Sequence, residues 1–196
     1  MKIVNTLRLI TLLTIAALCF NTTLQAQTYI LQKSTSQMEV LGTSNIHDWE
    51  LTVEDMQGTL EVTQKDNALK SLDKLQLSIL AESLKSGKGG MDKNTFKALN
   101  TSDYKNITYK LKSVESINAK SGGDYTINTT GDLMLAGVTQ SISIVFDAKI
   151  IVGQITLVGE KEINMIDYKI DPPKALFGTI TTGEKVTIKF KTTFTK

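Results

Sequence analysis

From Gln37 onward the chain alternates apolar and polar residues with a period of two, the mark of strands buried on one face. Trp49, Leu51 and Val53 interleave with Glu50, Thr52 and Glu54, and the pattern continues through Leu60 and Val62. Leu75, Leu77 and Ile79 repeat it, as do Ile107, Tyr109 and Leu111, then Tyr125 and Ile127, and Leu133 and Leu135. Ile142, Ile144 and Phe146 follow, then Ile155 and Leu157, Ile163 and Met165, and finally Val186, Ile188, Phe190 and Phe194. Abundant threonine suits the same pleated surface. Turn residues punctuate the runs at Asp66-Asn67, Ser121–Asp124, Gly137, Gly153, Asp171-Pro172-Pro173 and Thr182-Gly183. Many short antiparallel strands with regular turns predict a sandwich or a closed barrel. One stretch breaks the period: after Gly87–Gly90, the segment Met91–Leu99 spaces Phe96 and Leu99 three apart, with Asp92 placed to cap. That spacing predicts a short helix across one end of the barrel.

The N-terminus follows a different rule. Lys2 and Arg8 precede the apolar run Leu9–Phe20, and polar Asn21–Gln25 lead to Ala26. This is the layout of a secretory signal peptide, and its apolar segment is too short to span a bilayer. The expected organisation is a removable leader over residues 1–26 and a single domain over 27–196, exported to the periplasm. Cys19 lies within the leader behind the bulky Leu18, so it reads as a passenger there and not as a lipidation site. No transmembrane segment is expected in the mature chain.

Removing the leader changes the charge balance. The whole chain has 22 Lys and Arg against 20 Asp and Glu, a formal +2, but Arg8 is the sole arginine. The 170 residues after Ala26 hold 20 lysines and 20 acids, so the mature charge is zero. A neutral chain without arginine argues against nucleic acid as a partner. With His47 as the one histidine and no mature cysteine, a His/Cys zinc site and thiol chemistry are excluded. No metal and no cofactor is expected. His47-Asp48 invites a catalytic reading, but strand neighbours face opposite ways and no nucleophile elbow accompanies them. His47 is therefore read as a structural or pocket-lining polar residue, and no catalytic residue is assigned.

Several blocks, in order, carry a resemblance to a known family. They are Val40–Ser44 leading to His47 and Trp49, Met91–Leu99 followed by Tyr104–Tyr109, Gly131–Thr139, and Met165–Tyr168 with Pro172-Pro173 and Phe177-Gly178. Together they resemble the YceI-like proteins, exported lipocalin-like barrels that bind polyisoprenoid and related lipids. Two departures stand out: Asn106 replaces the proline common in its block, and Met165 stands near where the family often has an arginine.

The resemblance implies an all-β, antiparallel, lipocalin-like barrel of about eight strands with one short helix near residues 91–99. It implies an apolar channel with cavity walls at His47, Trp49, Phe96, Leu99, Tyr104, Ile107, Tyr109 and Phe177. His47 and Tyr109 are then the candidates for meeting a head group. The partner expected is an isoprenoid (polyprenyl or quinone-type) or fatty-acyl lipid, held without catalysis for transport or storage. The alternative is a non-catalytic envelope interaction module whose barrel is packed solid, with bulky inward residues such as Trp49 filling it.

Overall fold

The computed structural model describes residues 25–65 and 68–196. The expected leader lies outside these residues except for Gln25 and Ala26, which stand in the first strand, and so does the Asp66-Asn67 turn. Twelve strands form in chain order: β1 (Gln25–Leu31), β2 (Gln37–Ser44), β3 (Trp49–Val53), β4 (Met56–Lys65), β5 (Ala68–Leu80), β6 (Leu84–Lys85), β7 (Asn106–Ala119), β8 (Asp124–Leu135), β9 (Val138–Ile151), β10 (Gln154–Asn164), β11 (Lys174–Ala175) and β12 (Ile180–Thr195). One helix, α1 (Gly89–Ala98), lies between β6 and β7.

Eight of the strands close a ring in the order β1-β4-β5-β7-β8-β9-β10-β12, with every pairing antiparallel. Closure comes from β12 meeting β1 at Ile30↔Thr195 and Leu31↔Phe194. An eight-stranded ring leaves an interior that side chains either fill or vacate for one small ligand. The same β12 pairs along its middle with β2, which carries β3 and the two-residue β6. Between β1 and β2 the chain steps through a 3-10 turn at Lys33–Thr35. Buried Ser36 holds that step: its hydroxyl donates to the Gln32 carbonyl at 2.7 Å and accepts from the Thr193 amide at 2.9 Å.

Alternation sets the inward face. On β8 the odd positions Tyr125 through Leu135 are buried and the even ones are half-exposed. On β10 the inward row is Ile155, Leu157, Gly159, Lys161 and Ile163. At the end formed by β1, β4 and the last residues of β12 the interior is filled. Tyr29, Leu60, Val62, Ile127, Ile155 and Phe194 are almost completely buried there. At the other end, α1 stands beside the opening, as the sequence predicts.

Three local expectations change. Met165 is not a strand residue, because β10 ends at Asn164 and Met165–Tyr168 form a 3-10 turn. That turn is started by the Asn164 side chain, which accepts from the Ile166 amide at 3.1 Å. Thr182-Gly183 is not a turn between strands but lies in β12, where the register with β2 shifts between Thr182 and Val186. Such a bulge bends a strand without ending it. Finally, Asp92 does not cap α1. The cap position is Lys88, with no side-chain cap bond. The Asp92 carboxylate instead accepts from the Ser86 amide at 2.8 Å and the Ser86 hydroxyl at 2.7 Å, tying the preceding loop to the helix.

Candidate functional site

The open half of the barrel encloses a cavity of about 740 Å³, within the range typical of small-ligand sites, roughly 300–1,000 Å³. At ~30 Å³ per atom, the share of a liquid water, it has room for roughly two dozen non-hydrogen atoms. Its deep end is formed by Leu157, Phe146 and Thr192, and its side walls by inward aliphatic residues such as Val40, Leu77, Ile142, Ile144 and Ile188. These last five are only partly buried although their strand positions face inward, because the space before them is empty. Around the mouth stand Met91, Asn94, Thr95 and Ala98 of α1, with Ser44 at the end of β2, Ile46 and His47 of the β2–β3 loop, Pro173, and Lys174 and Ala175 of β11.

Five of the expected wall residues meet here: His47, Trp49, Leu99, Ile107 and Tyr109 all line the cavity. Trp49 lies flat across Gly42, its cross-strand partner, so closely that a Cβ on Gly42 would overlap the indole. The indole N–H is used up locally, donating to the Thr43 carbonyl at 2.8 Å. Trp49 thus offers the cavity an apolar ring and no free donor. Tyr109 likewise lies over Gly131, where a Cβ would overlap its ring. Its hydroxyl is sealed in the wall with no hydrogen-bond partner among the described residues. Burial pushes the phenol above its ordinary value of 10.0, and the charge of Asp132 adds to this. The nearby Thr129 hydroxyl acts the other way, but it donates to the Ile144 carbonyl at 3.0 Å.

His47 is in the β2–β3 loop and not on a strand, so the opposite-faces argument does not apply to it. Its Nδ1 lies 2.7 Å from the Asp48 backbone carbonyl. A carbonyl only accepts, so Nδ1 carries the proton and Nε2 is left as an acceptor in the neutral ring. The nearby Ser44 hydroxyl donates to the His47 carbonyl at 2.6 Å and is not directed at the imidazole. Histidine and hydroxyl hold the loop in shape without forming a base–nucleophile pair.

The other three expected residues lie off the wall. Phe96 sits on the far side of α1, with the Lys85 ammonium 4.6 Å from its ring centroid. Gly90, Met91, Lys93, Asn94, Thr95 and Ala98 of the helix meet the mouth, and Phe96 does not. Tyr104 covers Gly137 of the β8–β9 turn, where φ is +79° and a Cβ would overlap its ring. Phe177 is fully exposed in a left-handed backbone conformation at φ 56°. Sequence reasoning missed most of the aliphatic wall, and it missed Lys161. The alternation of β10 carries the signal for this lysine, since it falls between Gly159 and Ile163 on the inward row.

Among the described residues no helix is long and apolar enough to cross a membrane. A family model described as the YceI-like domain matches residues 29–194. None of the curated proteins matches the sequence. Among solved structures, a polyisoprenoid-binding domain from Saccharophagus degradans, implicated in plant cell wall breakdown, superposes with a TM-score of 0.66 at 14% identity, covering 85% of this chain and 97% of that one. BcnA of Burkholderia cenocepacia gives 0.65 at 14% identity, with 83% and 98% covered. The YCEI protein of Campylobacter jejuni gives 0.60 at 16% identity, with 74% and 82% covered.

Proposed function

The chain belongs to the YceI-like family, and on that premise we propose that it binds an isoprenoid or fatty-acyl lipid inside the barrel, holding it for transport or storage in the periplasm after export. The observation that carries this is the apolar cavity of about 740 Å³, open beside α1 and closed at the Leu157 end. Each buried methylene contributes roughly 0.8 kcal/mol. A tail of a dozen methylenes therefore gains on the order of 10 kcal/mol before the cost of immobilisation, which is itself about 4–15 kcal/mol. Few polar contacts are needed to hold such a molecule. The polyisoprenoid-binding domain among the structural relatives supports the same class of ligand.

The geometry favours binding over catalysis, because the loop carrying His47 presents no nucleophile to it. It also disfavours a solidly packed interaction module. The bulky inward ring of Trp49 lies against Gly42 and leaves the lumen empty. The test is lipid mass spectrometry on protein purified from its native envelope, combined with titration of solvent-extracted protein. A stoichiometric long-chain lipid in the extract and saturable rebinding are expected. Empty extracts with no saturable uptake of prenols, quinones or fatty acids would overturn the assignment.

A further inference from the structure

Lys161 stands where an apolar residue is expected. It occupies the inward row of β10, between Gly159 and Ile163, and pairs across the strand with Ile188 of the cavity wall. Its sequence neighbours Glu160 and Glu162 are exposed on the outer face, and Glu162 is taken by Lys185 at 2.8 Å. Among the described residues Lys161 makes no ion pair with any carboxylate. Strand rise puts its Cα about 10 Å inside the end of β10 at Asn164 (roughly 3.4 Å per residue). The rest of the cavity gives it no counter-charge. Lys88, Lys93 and Lys174 line the mouth, and among the described residues no aspartate or glutamate lines the cavity. This segregation is marked in a chain whose residues beyond Ala26 are formally neutral.

Lys161 is half-buried beside apolar wall residues, and its ammonium has no carboxylate partner among the described residues. An anionic group on the ligand would supply the missing partner as a charge-assisted bond, and such bonds are the strong ones. From the unpaired inward Lys161 and the three lysines at the mouth, we infer that the lipid carries an anionic head, a carboxylate or a phosphate monoester. That head is seated against the Lys161 ammonium, with the tail running toward Leu157. The mouth lysines attract the head during entry, and Lys161 fixes it. This rests on the lipid-binding assignment above and narrows it from lipids in general to anionic amphiphiles, excluding neutral quinones as the preferred cargo.

The experiment measures binding to solvent-extracted protein of two matched pairs: hexadecanoate against hexadecanol, and geranylgeranyl phosphate against geranylgeraniol. The wild type should prefer the anion in at least one pair by roughly tenfold or more, and the pair showing the larger preference identifies the head. Lys161→Met should abolish that preference while leaving the alcohol bound as well as before. Lys161→Gln, which keeps a polar side chain in case Met perturbs folding, should abolish it too. Lys149→Gln, on the exposed outer face of β9 and away from the cavity, should retain the preference. Equal binding of anion and alcohol by the wild type overturns the inference while leaving lipid binding intact, and so does a preference that survives both Lys161 variants. Failure of all four probes to bind overturns the lipid-binding assignment, and this inference with it.

Discussion

Gly159 is the position where one added methyl group should do most damage. It lies on the inward row of β10, opposite Phe190 of β12 and Phe146 of β9, at the last pair before β9 and β10 part. A Cβ there would lie 2.8 Å from Phe190 Cζ, 2.9 Å from Phe146 Cβ and 3.2 Å from the Val145 carbonyl oxygen. Ordinary carbon contacts are about 3.5–4.0 Å. Phe146 is buried and its Cβ is fixed by the backbone, so it has no room to move. Phe190 faces the cavity and is the group that yields. Swinging it out breaks the edge-to-face pair with Phe146, whose centroids lie 6.4 Å apart at 68°, and that pair is worth about 0.5–1.5 kcal/mol. Leaving its rotamer adds about 0.5–1.5 kcal/mol. Replacing a strand glycine elsewhere gains about 0.5–1 kcal/mol, so Gly159→Ala should destabilise by about 0.5–2 kcal/mol net. Urea denaturation should show a lower midpoint at unchanged slope. The displaced ring also takes the space of about two methylenes, which should weaken long-tail binding roughly tenfold. Gly90→Ala is the control, because a Cβ there meets nothing within 4 Å in the first turn of α1. It should stabilise by about 0.4–1 kcal/mol. If Gly159→Ala proves as stable as the wild type and binds long tails equally well, the packing argument for the lower wall is wrong.

Two further predictions concern titrating groups. Tyr168 is buried, its hydroxyl has no partner among the described residues, and burial, helped by the charge of Asp167, pushes it from 10.0 up to about 12. The unfolded chain ionises first, so this contribution to stability is complete below pH 10 and is lost as the pH rises toward 12. Tyr168→Phe should be at least as stable at neutral pH, since it removes a sealed hydroxyl without a partner. Its advantage should widen above pH 10 in parallel denaturation curves, and a constant gap between pH 8 and 11.5 would contradict the assignment. Asp92 is held below its ordinary value by the Ser86 hydroxyl and then the Ser86 amide, with a small contribution from Lys85. The loop anchor is therefore intact above the unfolded value near 3.8 and fails as the pH falls through the lower folded one. Asp92→Ala should raise hydrogen exchange at the Ser86 amide on the order of tenfold at neutral pH, with little change in global stability. Unchanged exchange there would show that the loop is held by something else.

The strands were legible because period-two alternation is a direct consequence of one buried face, and every strand of a closed barrel has one face inward and one toward solvent. The short strands β6 and β11 were not, since two residues carry no period. The bulge at Thr182–Val186 was read as a turn because glycine and threonine serve both purposes. Trp49, Ile107 and Tyr109 were named as cavity wall from the family resemblance; they stand on β3 and β7, where alternation fixes a face, and that face is the inward one. Phe96, Tyr104 and Phe177 failed for a common reason: each sits on a helix or loop, where no two-residue period says which way a side chain points. Lys161 was a different kind of miss. Its position parity was available, but the β10 pattern was taken up at Ile155-Leu157 and again at Ile163. The charged residue and the glycine between them read as a break when they belong to the row.

Strand glycines explain why this barrel is hollow where it has its largest rings. Gly42, Gly131 and Gly159 all lie on inward rows, and each is covered by an aromatic ring from the neighbouring strand: Trp49, Tyr109 and Phe190. A side chain at any of the three would force the ring off the wall and across the lumen. Each glycine weakens its strand by roughly 0.5–1 kcal/mol, and the ring laid over it shields the exposed backbone and restores contact area. The result is a wall one ring thick in place of a core. At the filled end the inward row of β8 places Tyr125, Ile127 and Thr129 where no glycine intervenes, and there Tyr29, Phe194 and Leu60 complete a solid interior. The boundary between the filled and the hollow half therefore follows the placement of three residues without side chains. Lys161 lies on the hollow side of that boundary, two positions beyond Gly159 on the same row. A methyl group at Gly159 should disturb tail and head together, whereas one at Gly42 should disturb entry alone. Comparing affinity and association rate for Gly42→Ala and Gly159→Ala tests this: a lower association rate is expected from the first and a faster dissociation from the second. The opposite pattern would mean that the lipid lies with its head at the floor.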